Sequence, residues 1–243
     1  MIGELNIVLK LIDVSKRYKK RLVVDHMSFE IYEGDVLGLL GNNGAGKSTT
    51  LSMAATLVKP DSGQILLDDK NIFEKRSKVC QKIGYVPQEI ALYENLTGED
   101  NLNFFARAYH LSGSILKERM EYVTTILGLT IEQLHERVCC YSGGMKRRLN
   151  MGVALLHDPR LLLLDEPTVG VDIESRDRML EAIEKLSHKG TMIIYIGHYM
   201  EEVERICNKV CIMNQGSKTI FGDIQELLEQ ENESLEEFYK RHI

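Results

Sequence analysis

Eight residues, Gly41-Asn42-Asn43-Gly44-Ala45-Gly46-Lys47-Ser48, fit the spacing G-x-x-x-x-G-K-[ST], and Thr49 follows. Each residue type answers a need of phosphate chemistry. Glycines let backbone N–H groups turn inward and approach phosphate oxygens. A helix beginning at Lys47 points its positive end at the same place. Lys47 supplies a full charge for β- and γ-phosphates, and the Ser48 hydroxyl can coordinate Mg2+. The loop alone implies a nucleotide phosphate and no more, because many enzyme classes share it.

A second constellation narrows the chemistry. Leu161-Leu162-Leu163-Leu164-Asp165-Glu166 is an apolar run ending in two acids. Open α/β sheets bind ligands at the carboxyl ends of their strands. Asp165 there can hold Mg2+, and Glu166 can take a proton from an attacking water. Two adjacent carboxylates repel unless a cation lies between them and the phosphates. Ser142-Gly143-Gly144 opens a predicted helix with free amides and a hydroxyl, a second anion-binding terminus. His198 and Gln88 each follow a predicted strand, at the same sheet edge. Taken singly, each of these three is uninformative: a routine N-cap, a structural histidine, an ordinary glutamine.

Positioning such residues takes alternating strands and helices. Val8–Val14, Leu22–Val24 and Met27–Ile31 read as strands separated by polar turns. Asp35–Leu40 is a buried strand feeding the Gly-rich loop, and a helix from Lys47 to about Leu57 stops before Pro60. Gln64–Asp68 and Ile83–Val86 are further strands. Residues ~89–160 are mostly helical: Thr97 and Asp100 form a capping box, Ser114 can cap a second helix to Gly128, and Ser142 a third to about His157. Alternation then resumes with Leu161–Leu164, the helix Ile173–Ser187, the strand Thr191–Ile196, the helix Tyr199–Cys207 and the strand Lys209–Met213. Continuous apolar strands between helices imply a parallel sheet covered on both faces.

Composition sets outer bounds. The chain has 243 residues, 44% apolar and 27% charged, with a net charge of −6. This is ordinary globular composition and argues against a dedicated nucleic-acid binder. No apolar stretch approaches the ~18 residues of a membrane helix, and the short run cut at Lys10 is not expected to be a secretory signal. Cys80, Cys139, Cys140, Cys207 and Cys211 fit no disulfide framework or zinc spacing and read as reduced, buried thiols. Residues 223–243 carry seven acids against two bases. Leu227, Leu228, Leu235 and Phe238 recur there at helical spacing, which suits an amphipathic terminal helix or pair. Lys16, Arg17, Lys19, Lys20 and Arg21 surround Tyr18; they read as a solvated hairpin or as the border of an anion site.

In order, GNNGAGKST, VPQ, YSGGM, LLLLDEP, VGVD and GHYMEE resemble the ATP-binding subunit of an ABC transporter over residues 5–225. The most diagnostic feature is Ser142-Gly143-Gly144 placed 23 residues before Asp165. The resemblance implies an α/β fold: a P-loop NTPase core with a mainly parallel sheet, an N-terminal antiparallel β-subdomain and an inserted helical subdomain. An ATPase domain over 1–225 and an acidic tail over 226–243 follow. It also implies roles. Tyr18 stacks on adenine, and Gly41–Thr49 form the Walker A loop. Gln88 reaches Mg2+ and water, and Ser142, Gly143 and Gly144 are the signature. Asp165 and Glu166 are the Walker B acid and the base, Asp172 the acid of the next loop, and His198 the residue at the γ-phosphate. Three positions depart from the usual pattern: Met145 in the signature, the V-G-V before Asp172, and Gly197 where Thr or Ser precedes the histidine.

The same resemblance implies ATP and Mg2+ as ligands and a head-to-tail pair, homodimer or heterodimer, with each ATP between the loop of one copy and the signature of the other. It implies separate membrane permease chains and a place at the cytoplasmic face of the membrane. Residues Glu89–Asn101 would receive the permease. The stretch LTGEDNLNFFARAYHL and the chain's end soon after its last core strand resemble drug- and polysaccharide-export subunits. A soluble ABC-type ATPase uncoupled from transport is the alternative reading.

Overall fold

Four consecutive leucines cannot all face one side of a strand, because successive side chains point to opposite faces. Leu161–Leu164 therefore need apolar cover above and below. The computed structural model, which describes residues 7–74, 76–231 and 233–243, provides it. Residues 1–6, where the expected domain begins, lie outside the described residues.

The chain runs β1 (Ile7–Tyr18), β2 (Arg21–Tyr32), β3 (Val36–Gly41), α1 (Lys47–Ala54), β4 (Ser62–Leu67), β5 (Lys70–Asn71), α2 (Arg76–Cys80) and β6 (Ile83–Val86). Helices α3 (Gly98–Ala108), α4 (Gly113–Leu127), α5 (Ile131–His135) and α6 (Gly143–Leu155) follow. Then come β7 (Leu161–Asp165), α7 (Ile173–His188), β8 (Met192–Ile196), α8 (Met200–Ile206), β9 (Lys209–Asn214), β10 (Ser217–Asp223), α9 (Ile224–Glu231) and α10 (Leu235–His242).

A six-stranded sheet has the order β10-β9-β3-β8-β7-β6. It is parallel except for the β9–β10 hairpin. A four-stranded antiparallel sheet, β2-β1-β4-β5, lies apart from it in the pairing. Period-2 alternation sorts the core into two layers. Leu162, Leu164, Ile193 and Tyr195 join the layer under α3, α4, α6 and α7. Leu161, Leu163, Met192, Ile194 and Ile196 join the layer shared with α1 and the antiparallel sheet. Thr97 and Asp100 close the capping box of α3, with 3.0 Å from the Asp100 amide to Thr97 Oγ1.

Several expectations change in detail. The expected break between Leu22–Val24 and Met27–Ile31 is one strand, β2, whose irregularity is absorbed at His26 with φ 48°. The α4 N-cap is Ser112, not Ser114. Helix α5 and strand β10 had no counterpart in the sequence reading. At the C-terminus, Leu235 and Phe238 of α10 are buried, and Leu227 and Leu228 of α9 pack on the core. Buried thiols are limited to Cys207 and Cys211; Cys80 is half-buried, and Cys139 and Cys140 are exposed. Among the described residues no helix is long and apolar enough to cross a membrane.

Candidate active site

The turn from β3 into α1 places the phosphate loop. Gly46 caps α1 at φ 102°, where L side chains rarely sit, and a Cβ there would collide with the Val23 carbonyl oxygen. Lys47 folds back over the loop, donating from Nζ to the carbonyl oxygens of Gly41 at 2.6 Å and Asn42 at 3.2 Å. Burial lowers its pKa from the ordinary lysine value, against the opposing pull of Glu166 and Asp165. An ammonium held under that penalty gains from any anion brought to it.

The carboxyl end of β7 delivers the acids beside the loop. Ser48 Oγ donates to Asp165 Oδ1 at 3.3 Å. Burial pushes the Asp165 carboxyl above its usual range, and repulsion from Glu166 adds to this. A buried carboxylate beside a hydroxyl is a hard-oxygen donor set of the kind Mg2+ takes. The residues present therefore fit that ion.

Glu166 is strained into place. Its φ is 51°, and its amide donates to the Ile196 carbonyl of β8 at 2.9 Å. Its carboxylate is gripped from two sides: Gln88 Nε2 donates to Oε2 at 2.6 Å, and His198 Nε2 stands 2.8 Å from Oε1. These groups line an open cleft of about 400 Å3 with Asn43, Gly44, Gly46, Lys47, Ser48 and Thr49. Ends of three adjacent strands, β6, β7 and β8, thus supply Gln88, Glu166 and His198 to one place.

Other expected site residues lie elsewhere. Tyr18 ends β1 at the hairpin, about half exposed, with Lys16 Nζ 5.7 Å from its ring centre. Its cross-strand partner Arg21 lines the cleft, as does Val23. Of the basic hairpin residues, Lys16 donates from Nζ to Asp61 and Arg17 from its backbone amide, while the Arg17 guanidinium donates to the Lys20 carbonyl. Ser142 caps α6, its Oγ accepting from the Met145 amide at 3.1 Å. Ser142, Gly143, Gly144 and Asp172 do not line the cleft. Asp172 caps α7, accepting from the Ser175 amide at 2.9 Å, and lies against Gly144. One copy of the chain therefore carries two separate surfaces, the loop cleft and the end of α6.

Two residues that sequence reasoning missed join these surfaces. Arg147 of α6 donates to the Gln88 carbonyl at 2.5 Å, and Asn150 Oδ1 accepts from the Ala91 amide at 3.2 Å. Lys146 adds an ion pair to Glu94 at 2.6 Å. Helix α6 is thereby bonded along the segment that follows Gln88. A basic K-R-R run on a helix reads as a solvated face, so nothing local marked Arg147.

Gly197 also has a physical reason. The Tyr195 ring folds back against it, and a Cβ at 197 would press into that ring. The fully buried Tyr195 hydroxyl donates to Glu202 Oε2 at 2.5 Å and lies 3.1 Å from Thr168 Oγ1, which itself donates to Glu202 at 2.8 Å. This network ties the loop after Glu166 to the strand before His198 and to α8. Tyr195→Phe deletes the shortest donor to a buried carboxylate. We expect a loss of ~2 kcal/mol in urea unfolding; an unchanged midpoint would remove the network's structural role.

Comparison with known proteins identifies the family and the fold. The family described as ABC transporter matches residues 24–169. The linearmycin resistance ATP-binding protein LnrL of Bacillus subtilis (strain 168) is 46% identical over 88% of this chain and 69% of its own length. The Nod factor export ATP-binding protein I of Burkholderia pseudomallei (strain 1710b) is 38% identical over 90% of this chain and 71% of its own. A solved ATP-binding subunit of an ABC transporter superposes with a TM-score of 0.88 at 29% identity, covering 96% of this chain and 98% of that one. The chain belongs to the ABC transporter ATP-binding family and is an ATPase of that family.

Proposed function

We propose that this chain powers a membrane exporter by closing and opening as a head-to-tail pair around ATP. The observation that carries the reading is the grip on Glu166, held between Gln88 and His198 at the rim of the Lys47 cleft, while Ser142 stands outside that cleft. A cleft that lacks the α6 terminus in one copy is completed by the α6 terminus of a second.

In this mechanism Tyr18 takes the adenine, with Arg21 beside it at the cleft wall. Amides of Gly41 through Thr49 and the Lys47 ammonium hold the β- and γ-phosphates. Ser48, Asp165 and the Gln88 side-chain oxygen would hold Mg2+, which when bound neutralises phosphate charge. Glu166 takes the proton of the attacking water, and His198 fixes both the Glu166 carboxylate and the γ-phosphate. Ser142 with the Gly143 and Gly144 amides of the partner copy donates to the same γ-phosphate, and Asp172 supports the α6 end from α7. ATP binds the closed pair better than the open one, so hydrolysis removes the link and the pair parts.

The names of the two relatives, resistance and export, support an exporter. A permease on separate chains would hold this subunit at the cytoplasmic face of the membrane, without nucleic acid. Its docking surface would be the segment after Gln88. There Tyr93 packs edge-on to Phe104 with ring centres 4.8 Å apart, both half exposed, and Leu96 is exposed beside them. Bonds from α6 to Gln88, Ala91 and Glu94 give that surface a path to the partner's ATP. The test is co-expression with a candidate permease that copurifies with the wild-type chain. Tyr93→Asp should abolish copurification and leave nucleotide affinity unchanged. Full copurification of the variant sinks the docking surface, and a soluble ATPase uncoupled from transport then becomes the reading.

A further inference from the structure

Between α5 and α6 the chain makes a short 3-10 turn, Val138–Cys140, leading directly into Tyr141 and Ser142. Its backbone is pinned: the Val138 amide donates to the Leu96 carbonyl and the Cys139 amide to the Glu94 carbonyl, both at 2.9 Å. The Cys140 amide closes the turn onto the Arg137 carbonyl at 2.9 Å. With the backbone fixed, both cysteine side chains are left at the surface, with their sulfurs 3.8 Å apart. Tyr141 behind them is buried, and its hydroxyl donates to the Gln133 carbonyl.

The other three thiols are unlike this pair. Cys207 and Cys211 are buried, and burial pushes both thiols up, that of Cys211 to about 12. Cys80 is half-buried, 3.4 Å from Thr56 Oγ1. Within the exposed pair, the hydrogen bond from Cys139 holds the Cys140 thiol above its ordinary value. That shift slows reagents that need the Cys140 thiolate. Reagents whose leaving group is a hydroxyl do not share that handicap, because the thiol's own proton turns the hydroxyl into water. Soft sulfur ligands also select soft acceptors over hard ones.

We propose that Cys139 and Cys140 form a dithiol site for a thiophilic acceptor of the trivalent-arsenic class, and that its adduct restrains the turn that leads into Ser142. The chemistry is a condensation without redox change. Two S–H bonds and two As–O bonds break, two As–S bonds form, and the two protons leave with the two oxygens' worth of hydroxide as two waters from arsenous acid. An aryl arsenoxide, which carries one oxygen, loses one water. Sulfurs 3.8 Å apart are bridged by one arsenic atom with a small rotation of each side chain. The ring so formed spans the Cys139–Cys140 peptide and ties down the two residues before Tyr141. Because the same turn is bonded to Glu94 and Leu96, the site sits at the joint between the segment after Gln88 and the cap of α6.

The test uses the full chain, folded, with one equivalent of phenylarsine oxide, read by intact mass and by amide hydrogen exchange. We expect a single adduct with the mass of the reagent less one water, displaced by 2,3-dimercaptopropanol. It should vanish in Cys139→Ser and in Cys140→Ser and persist in Cys80→Ser. In the wild type, exchange of the amides from Tyr141 to Met145 should slow by roughly tenfold. Absence of the adduct in the folded wild type, or its survival in both single variants of the pair, overturns the site. An adduct with unchanged exchange over Tyr141–Met145 overturns the restraint. Neither readout depends on ATP hydrolysis.

Discussion

Lys47→Ala lowers ATP affinity by about a thousandfold while leaving the unliganded chain folded. The size follows from what the ammonium gives up and gains. In the free protein it already has two carbonyl partners, Gly41 and Asn42, yet burial depresses its pKa. It is therefore a charge held at a cost that only an anion repays in full. Two charge-assisted contacts to phosphate oxygens are worth ~4 kcal/mol together, or roughly three decades in Kd. Stability without nucleotide behaves differently. Removing the ammonium ends its burial penalty and also its two bonds to the loop, so the opposing changes leave less than ~1 kcal/mol. Calorimetric titration with ATP and urea unfolding of the same variant separate the two effects. Wild-type affinity in the variant would overturn the phosphate assignment. Lost affinity with a collapsed unfolding midpoint would mean that Lys47 holds the loop together instead.

What the sequence made legible was local. The phosphate loop, the leucine run ending in Asp165-Glu166, and the Thr97 and Ser142 caps each lie within about ten consecutive residues, where spacing carries the geometry directly. The two-faced sheet was equally readable, since four leucines in a row admit one explanation. Contacts across the chain were not. Gln88 and Glu166 are 78 residues apart and Arg147 and the Gln88 carbonyl 59, and no local pattern announces either bond. Arg21 was one of five bases around Tyr18, and only the hairpin's register decides that it faces the cleft while the Lys16 ammonium reaches Asp61 and the Arg17 guanidinium the Lys20 carbonyl. Gly197 looked like a departure from the family because its cause, the ring of Tyr195 two residues earlier, is a packing fact. Cys139 and Cys140 were expected to be buried on the general habit of free cysteine, but their turn is pinned on its backbone side and leaves its side chains outward.

Glu166→Gln should retain ATP, stop turnover and accumulate the closed pair. The substitution keeps the shape and one acceptor oxygen, so Gln88 Nε2 still has an oxygen to donate to where it now meets Oε2 at 2.6 Å. The strained backbone at φ 51° suits glutamine no worse than glutamate, so the β7–β8 junction should not shift. What disappears is basicity. A neutral amide cannot take a proton from water, and loss of a positioned general base costs about 10^2–10^4 in rate. A second consequence runs the other way. Glu166 repels Asp165 and helps hold its carboxyl above the usual range. Removing that charge lowers the Asp165 pKa and reduces the negative potential facing a triphosphate, so ATP should bind at least as tightly as in the wild type. Tight binding without hydrolysis leaves the link between two copies uncut. Phosphate release and light scattering after gel filtration, both with ATP and Mg2+, read the two halves of the claim. Release at the wild-type rate would remove Glu166 as the base. A variant that neither hydrolyses nor pairs would leave the base standing and break the connection between a filled cleft and the Ser142 surface of a second copy, since under this mechanism an uncut triphosphate in both clefts has nowhere else to send its binding energy.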